Sequence, residues 1–175
     1  SKIISEMRNF LNKRNYLEVE TPVLQPIYGG ANARPFTTFH NTLDEKLYLR
    51  ISLELYLKKL IIGGINRVFE LSKNFRNEGM DKNHNPEFTM LEFYQSFSDV
   101  YDMMDLTEDM IKMVSNSVSS DNVLFNDHKI DLKKPFKRIS MNELLKNEFN
   151  IDNLIFNNNK LREIGSDLDL DKTLS

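Results

Sequence analysis

Cysteine is absent from the 175 residues of this chain. Disulfides and thiolate metal sites are therefore excluded, and a reducing compartment is expected. No apolar run approaches the roughly 20 residues that a membrane-spanning helix needs, and the first residues do not resemble a signal peptide. The sequence predicts a cytoplasmic protein that does not enter a membrane, with an organellar location left open.

The sequence also lacks two patterns that are typical of nucleotide-binding loops and of metal sites. The chain has no glycine-rich phosphate loop of the Walker or dinucleotide kind, and its histidines, His40, His84 and His128, lack metal-ligand spacing. The formal net charge of -3 argues against a protein whose main task is to grip a nucleic-acid backbone, although a local contact stays open. We predict no metal site in this chain.

What is present is an ordinary globular composition, with 40% apolar and 28% charged residues. Helical spacing of apolar residues predicts an opening amphipathic helix, carried by Ile3, Ile4, Met7, Phe10 and Leu11. Residues 16–20 are typical of a short strand ended by Thr21-Pro22. A loop is expected around Gly29-Gly30.

Alternation over residues 46–52 predicts a half-buried strand, with Leu47, Leu49 and Ile51 on one face and Tyr48 and Arg50 on the other. Ser52 is then placed to cap a helix that ends at Gly63-Gly64. Further on, apolar residues between 103 and 114 predict another helix, followed by a polar linker after residues 115–116.

Short strands are expected between residues 123 and 139, and Ser140 with Glu143 forms a capping box for a short helix. One more helix is predicted near residues 161–164.

The most informative pattern lies in residues 67–97. In residues 67–78 the even positions are mostly polar, and the odd positions include Phe69, Leu71 and Phe75. In residues 88–97 the odd positions again include apolar residues, Leu91, Phe93 and Phe97. Two such segments joined by residues 79–87 predict an antiparallel hairpin with a long connection. Because side chains alternate faces, one side should carry Arg76, Glu78, Phe88, Glu92 and Tyr94.

That mixed face supports two interpretations. A guanidinium fork suits phosphate, an aromatic ring suits a base and carboxylates suit an ammonium group. A solvated sheet face with cross-strand salt bridges explains the same charges. The parity alone leaves both open.

Longer segments resemble a known family. Two segments resemble motif 2 of class II aminoacyl-tRNA synthetases, with the sequence typical of the lysyl enzymes. They are residues 75–79 (Phe-Arg-Asn-Glu-Gly) and 84–94 (His-Asn-Pro-Glu-Phe-Thr-Met-Leu-Glu-Phe-Tyr). Residues 16–24 (Tyr-Leu-Glu-Val-Glu-Thr-Pro-Val-Leu) are similar to motif 1, and residues 29–36 and 47–57 are also of lysyl type. The similarity runs in order from residue 1 to about 118, and more loosely beyond.

The resemblance implies an ATP site built from Arg76, Asn77, Glu78, His84, Asn85 and Phe88. Arg76 corresponds to the catalytic arginine on the α-phosphate, Glu78 to a residue near the adenine amino group, and Phe88 to the ring that stacks on adenine. His84 and Asn85 correspond to the loop that reaches the phosphates. The alternatives are an Arg76–Glu78 salt bridge, a core role for Phe88 and a loop-capping role for His84 and Asn85.

The resemblance also implies a lysine pocket formed by Gly30, Glu54, Glu92 and Tyr94. Glu54 corresponds to the residue that receives the α-ammonium, while Glu92 and Tyr94 correspond to residues lining the side-chain pocket. For Glu54, an ordinary first-turn carboxylate favoured by the helix dipole is the alternative.

The fold class expected is α+β, an antiparallel sheet flanked by helices, as in part of a class II synthetase core. We expect residues 1–118 to form the core with motifs 1 and 2, and residues 119–175 to begin the insertion before motif 3. The resemblance places the motif 3 arginine, the Mg²⁺ ligands and an anticodon-binding domain outside this chain, so the chain alone is expected to be inactive.

The implied partners are lysine, ATP, tRNA(Lys) through the parent protein, and a second copy in a homodimer formed by the motif 1 region. Two rivals stay open: a synthetase-like paralogue that lysylates elongation factor P, and a non-catalytic binding module derived from a synthetase. Aspartyl and asparaginyl enzymes share the class, but Glu54 and Glu92 do not suit the side-chain carboxylate or amide of those substrates.

Overall fold

The computed structural model describes residues 1–118 and 122–149. The chain divides into two compact units, residues 1–133 and 134–175. The first unit contains the helices α1 (Lys2–Asn12), α2 (Glu54–Ile62) and α3 (Val100–Val118), and α4 (Met141–Phe149) lies in the second unit. The strands are β1 (Leu17–Glu18), β2 (Leu24–Gln25), β3 (Thr37–His40), β4 (Glu45–Leu49), β5 (Arg67–Phe75), β6 (Glu87–Gln95), β7 (Asn122–Phe125) and β8 (His128–Asp131).

The central feature is the β5–β6 hairpin, which confirms the predicted antiparallel pair. Its register runs without a bulge from Arg67 opposite Gln95 to Phe75 opposite Glu87. The short β1 adds to it in parallel through β5, and a second sheet has the order β2-β4-β3, all antiparallel. The observed class is α+β, as predicted.

The hairpin separates two apolar clusters. On its odd face, Phe69, Leu91 and Phe93 pack with residues of α1 and α3. On its even face, Val68 and Tyr94 pack against α2. Side chains alternate across a strand, so the even face is free of the α1–α3 core and can carry polar groups towards α2.

Several boundaries differ from the sequence-based expectations. The predicted strand at residues 16–20 is reduced to Leu17–Glu18, and the predicted strand at residues 46–52 ends at Leu49. The N-cap of α2 is Leu53 instead of Ser52, although the Ser52 hydroxyl still accepts the Glu54 N–H at 3.1 Å. In the second segment, the side chains of Arg50 and Ser52 bond to the hairpin.

The later elements agree more closely. α3 continues through residues 115 and 116 to Val118, further than predicted. β7 and β8 are the expected short strands, and the Glu143 N–H donates to Ser140 Oγ at 3.1 Å, as the capping box predicts. The helix predicted near residues 161–164 lies outside the described residues, and the proposed division at residue 118 stays a prediction.

Candidate active site

The end of the hairpin brings the predicted nucleotide-binding residues together. Beyond β5 the pairing continues through the Arg76 N–H, which donates to Pro86 O at 2.8 Å. The Arg76 guanidinium carbon lies 5.2 Å from the Phe88 ring centroid, and Arg76 Nε donates to Ile51 O at 3.3 Å. A cation and an aromatic face are therefore held side by side.

A cleft of about 230 Å³ opens at this point. It is lined by Arg76, Glu78, Gly79, Asn83, His84, Asn85 and Phe88. Five of the six residues assigned to ATP by resemblance are in that set, whereas Asn77 is not. The Asn77 N–H instead donates to Arg34 O at 2.7 Å, which ties the preceding loop to the hairpin.

Glu78 does not pair with Arg76 in the part of the chain that the structure describes. Its carboxylate accepts the Arg34 N–H at 3.3 Å. The alternative of a structural Arg76–Glu78 salt bridge is therefore not what the structure shows. Arg76 lines the cleft next to Phe88.

Asp81 organises the loop and was missed by the sequence analysis. Its carboxylate accepts the N–H groups of Asn83 and His84 at 2.6 and 2.8 Å, and it contacts His84 Nδ1 at 2.7 Å. The His84 hydrogen bond, followed by the Asn83 N–H, lowers the pKa of Asp81 below its usual value. The signal was available, because an Asp followed by polar residues favours this type of Asx turn.

A second cluster lies on the same even face, nearer α2. Glu92 Oε1 accepts hydrogen bonds from Ser52 Oγ and the Leu53 N–H, both at 3.0 Å. Its other oxygen, Oε2, accepts from the Tyr94 hydroxyl at 3.0 Å. Ser52 and the Leu53 main chain were not predicted as part of this site. Their contribution depends on contact between segments about 40 residues apart, which local patterns do not reveal.

Gly30 and Glu54 complete this cluster. Gly30 has a φ of +85°, and a Cβ at this position would lie 2.8 Å from Glu54 Cβ and 2.9 Å from Ser52 Oγ. Glu54 opens α2, so the helix-dipole interpretation also holds for it. Its carboxylate pairs with Lys58 at 2.7 Å on the surface.

The cluster is acidic. Burial, and then the negative charge of Glu92, raise the pKa of the Tyr94 hydroxyl well above its usual value, with a smaller effect of Glu54. Tyr94 therefore remains a neutral donor at physiological pH. Two carboxylates beside a neutral phenol suit a cationic ligand.

The described residues do not form a metal-binding site. Over residues 1–118 and 122–149 there is no group of three or more histidine or carboxylate side chains placed to hold a metal ion. Among the described residues that line the cleft, Glu78 is the one that carries a carboxylate. None of the helices in the described residues is long and apolar enough to cross a membrane.

Comparison with known proteins adds an independent line of evidence. Residues 1–170 match the family model of the class II tRNA synthetases (D, K and N). A lysine–tRNA ligase of Methanoculleus marisnigri is 56% identical over 147 residues, covering 83% of this chain and 29% of the relative. That of Methanospirillum hungatei is 50% identical over 172 residues, covering 98% of this chain and 34% of the relative. The lysine–tRNA ligase of Buchnera aphidicola is 54% identical over 144 residues, covering 82% of this chain and 28% of the relative.

Proposed function

We propose that this chain, which belongs to the class II tRNA synthetases (D, K and N), forms part of a lysine–tRNA ligase. The chain spans about a third or less of the curated relatives that it matches, so the activity is that of a longer protein. That protein would join lysine to ATP, giving lysyl-adenylate and pyrophosphate, and then transfer the lysyl group to tRNA(Lys).

One observation carries the proposal: a cation–aromatic cleft and an acidic cluster of side chains share the even face of a single hairpin. Arg76 and Phe88 lie at its loop end, and Glu92 and Tyr94 lie further along β6. Lysine activation needs both halves, because an ammonium-bearing substrate must present its carboxylate to a nucleotide phosphate. The two regions are joined by residues 51–53, which contact Arg76 and Glu92.

In the nucleotide half, Arg76 would bind the α-phosphate while the lysine carboxylate attacks the α-phosphorus and pyrophosphate leaves. Its cation offsets negative charge that grows in the transition state, which is the usual task of an arginine in phosphoryl chemistry. Phe88 would stack on the adenine, and Glu78 would approach the adenine amino group. His84 and Asn85 would reach the ATP phosphates, with His84 oriented by Asp81.

In the amino-acid half, Glu54 would receive the α-ammonium group, and Glu92 with Tyr94 would receive the side-chain ammonium. Glu92 is suited to this because three donors already fix its orientation. Gly30 would allow the substrate to approach the main chain, where a side chain would meet Ser52 and Glu54. The acidic character disfavours aspartate as the substrate.

ATP and Mg²⁺ are the general requirements of this class. The described residues do not form a metal-binding set, and we propose that the Mg²⁺ ligands lie in the rest of the protein. We also propose a cytoplasmic location and a homodimer formed by α1 and residues 16–24. Exposed apolar side chains in that region support the dimer, among them Ile3, Ile4, Leu17, Val23 and Leu24.

The test is ATP–pyrophosphate exchange by the full-length protein with lysine, aspartate or asparagine. Exchange should depend on lysine and be abolished by Arg76→Ala, which excludes a contaminating enzyme. Charging of tRNA(Lys) separates the ligase from the paralogue that modifies elongation factor P. Absence of exchange with a folded, lysine-binding protein would instead favour a non-catalytic module. The 175-residue chain alone should show no exchange.

A further inference from the structure

A buried ion pair lies next to both halves of the site, and the mechanism above does not use it. Arg50 and Glu70 are each 1% exposed, and Arg50 Nη1 lies 2.7 Å from Glu70 Oε1. Replacing such a pair by apolar residues of similar volume is often neutral for stability, because burying both charges costs their hydration. Stability alone is therefore a weak explanation for this pair.

The side chains of the pair are bonded to two neighbouring segments. Arg50 Nε donates to Lys73 O at 2.9 Å, Nη1 donates to Thr21 O at 2.9 Å, and Nη2 donates to Ser72 Oγ. Glu70 Oε2 accepts from the Thr21 hydroxyl at 2.6 Å and from the Thr21 N–H at 3.2 Å. The planar guanidinium fixes directions as well as charge, so this network defines where residue 50 sits against β5.

The main chain of Arg50 is held in the same way. Its N–H donates to Val23 O at 2.9 Å, and its carbonyl accepts the Phe75 N–H at 3.0 Å. Three segments that are distant in sequence, residues 21–23, residues 49–53 and β5, therefore meet at this one residue. The position of the chain immediately after Arg50 depends on that junction.

The next three residues make the contacts on which the site depends. Ile51 O accepts Arg76 Nε at 3.3 Å. Ser52 Oγ and the Leu53 N–H both donate to Glu92 Oε1. A displacement of residues 51–53 would thus move a nucleotide-binding group and an amino-acid-binding group together.

We infer that Arg50 and Glu70 are a positioning pair, which holds residues 51–53 so that Arg76 and Glu92 are aligned with each other. The inference rests on the proposed function, since alignment has a catalytic meaning only if both groups serve one reaction. Reacting groups held about 1 Å out of place can lose on the order of 100-fold in rate. The pair acts through other residues and does not itself touch the substrates.

The experiment uses the full-length protein containing this chain and three variants. Removing one partner alone would leave an unpaired buried charge and strongly destabilise the protein, so the main variant is the double substitution Arg50→Met with Glu70→Leu. Arg50→Lys keeps the charge but cannot reproduce the fork to Lys73 O and Ser72 Oγ. Val114→Ala, in the α1–α3 core, is the control for general destabilisation.

Three measurements are made on each protein: the thermal unfolding midpoint, amide hydrogen exchange of the peptide covering residues 50–57, and kcat and KM in lysine-dependent ATP–pyrophosphate exchange. For the double variant we expect a lower midpoint, because Thr21, Ser72 and the Lys73 carbonyl lose their hydrogen-bond partners. Exchange in residues 50–57 should be at least tenfold faster while exchange in α3 is unchanged. The kcat should fall at least tenfold, with a raised KM for lysine. Val114→Ala should also lower the midpoint, but it should leave kcat and the hydrogen exchange of residues 50–57 unchanged.

Hydrogen exchange in residues 50–57 and a kcat both within threefold of the unsubstituted protein would overturn the inference. If the double variant does not fold, Arg50→Lys is measured in its place. Hydrogen exchange and a kcat like those of the unsubstituted protein would then overturn the inference. Faster exchange confined to residues 50–57 together with a lower kcat would support it. Failure of the proposed function is distinct, because the unsubstituted protein would then lack lysine-dependent exchange. The hydrogen-exchange comparison would still decide whether the pair positions residues 51–53.

Discussion

Gly30→Ala tests whether the tight approach between the loop and α2 is required. Gly30 has a φ of +85°, and an added Cβ would lie 2.8 Å from Glu54 Cβ and 2.9 Å from Ser52 Oγ. A left-handed conformation costs an L-residue about 1–2 kcal/mol, and overpacking a tight contact typically adds about 1–3 kcal/mol. We expect a total loss of about 2–5 kcal/mol, a large part of the stability of an ordinary domain.

Two other glycines separate these contributions. Gly64 also has a positive φ, +98°, but nothing lies within 4 Å of its added Cβ, so Gly64→Ala should cost only the backbone strain, about 1–2 kcal/mol. Gly79 has neither feature, and Gly79→Ala should be close to neutral. Urea unfolding of the three variants gives the free energy of unfolding for each.

The order of stability should be Gly79→Ala, then Gly64→Ala, then Gly30→Ala as the least stable. Lysine affinity, measured by calorimetry, should fall for Gly30→Ala alone, since only that Cβ displaces Ser52 and Glu54. If Gly30→Ala were as stable as Gly64→Ala and bound lysine normally, the described packing of Gly30 against the pocket would be refuted.

The other predictions concern charge. Arg76→Ala should slow adenylate formation roughly 100- to 1,000-fold, the usual effect of losing one such donor, with little change in lysine KM; a rate within threefold of the unsubstituted protein in pre-steady-state kinetics would contradict this. Tyr94 has a raised pKa in the folded chain. The folded state therefore holds its proton above about pH 10, where the unfolded phenol ionises. Stability should fall as pH rises beyond that value, and Tyr94→Phe should flatten the fall in pH-dependent urea unfolding. A fall of unchanged steepness would argue against a raised Tyr94 pKa. Asp81→Asn removes the carboxylate that orders His84 and should raise the KM for ATP more than that for lysine. Equal effects on both would contradict a role confined to the loop.

The sequence by itself determined the elements whose information is local. The alternating pattern predicted the β5–β6 hairpin and correctly assigned Leu91 and Phe93 to the face opposite Tyr94. A side-chain period of two is dictated by strand geometry and needs no tertiary context. The capping box at Ser140 and Glu143 was readable for the same reason, because its donor and acceptor are three residues apart. The long motif resemblance likewise identified the family.

Only the tertiary structure decided how separate segments serve the hairpin. Alternation assigned Arg50 to the polar face of a half-buried strand, yet it is fully buried because Glu70 and Thr21 supply partners from distant positions. Ser52, expected as a helix cap, donates a hydrogen bond from its hydroxyl group to Glu92. A charged or polar side chain is buried only where its hydrogen bonds are satisfied. Those partners lie 20 to 40 residues away in the chain, so the pattern around each residue carries no sign of them.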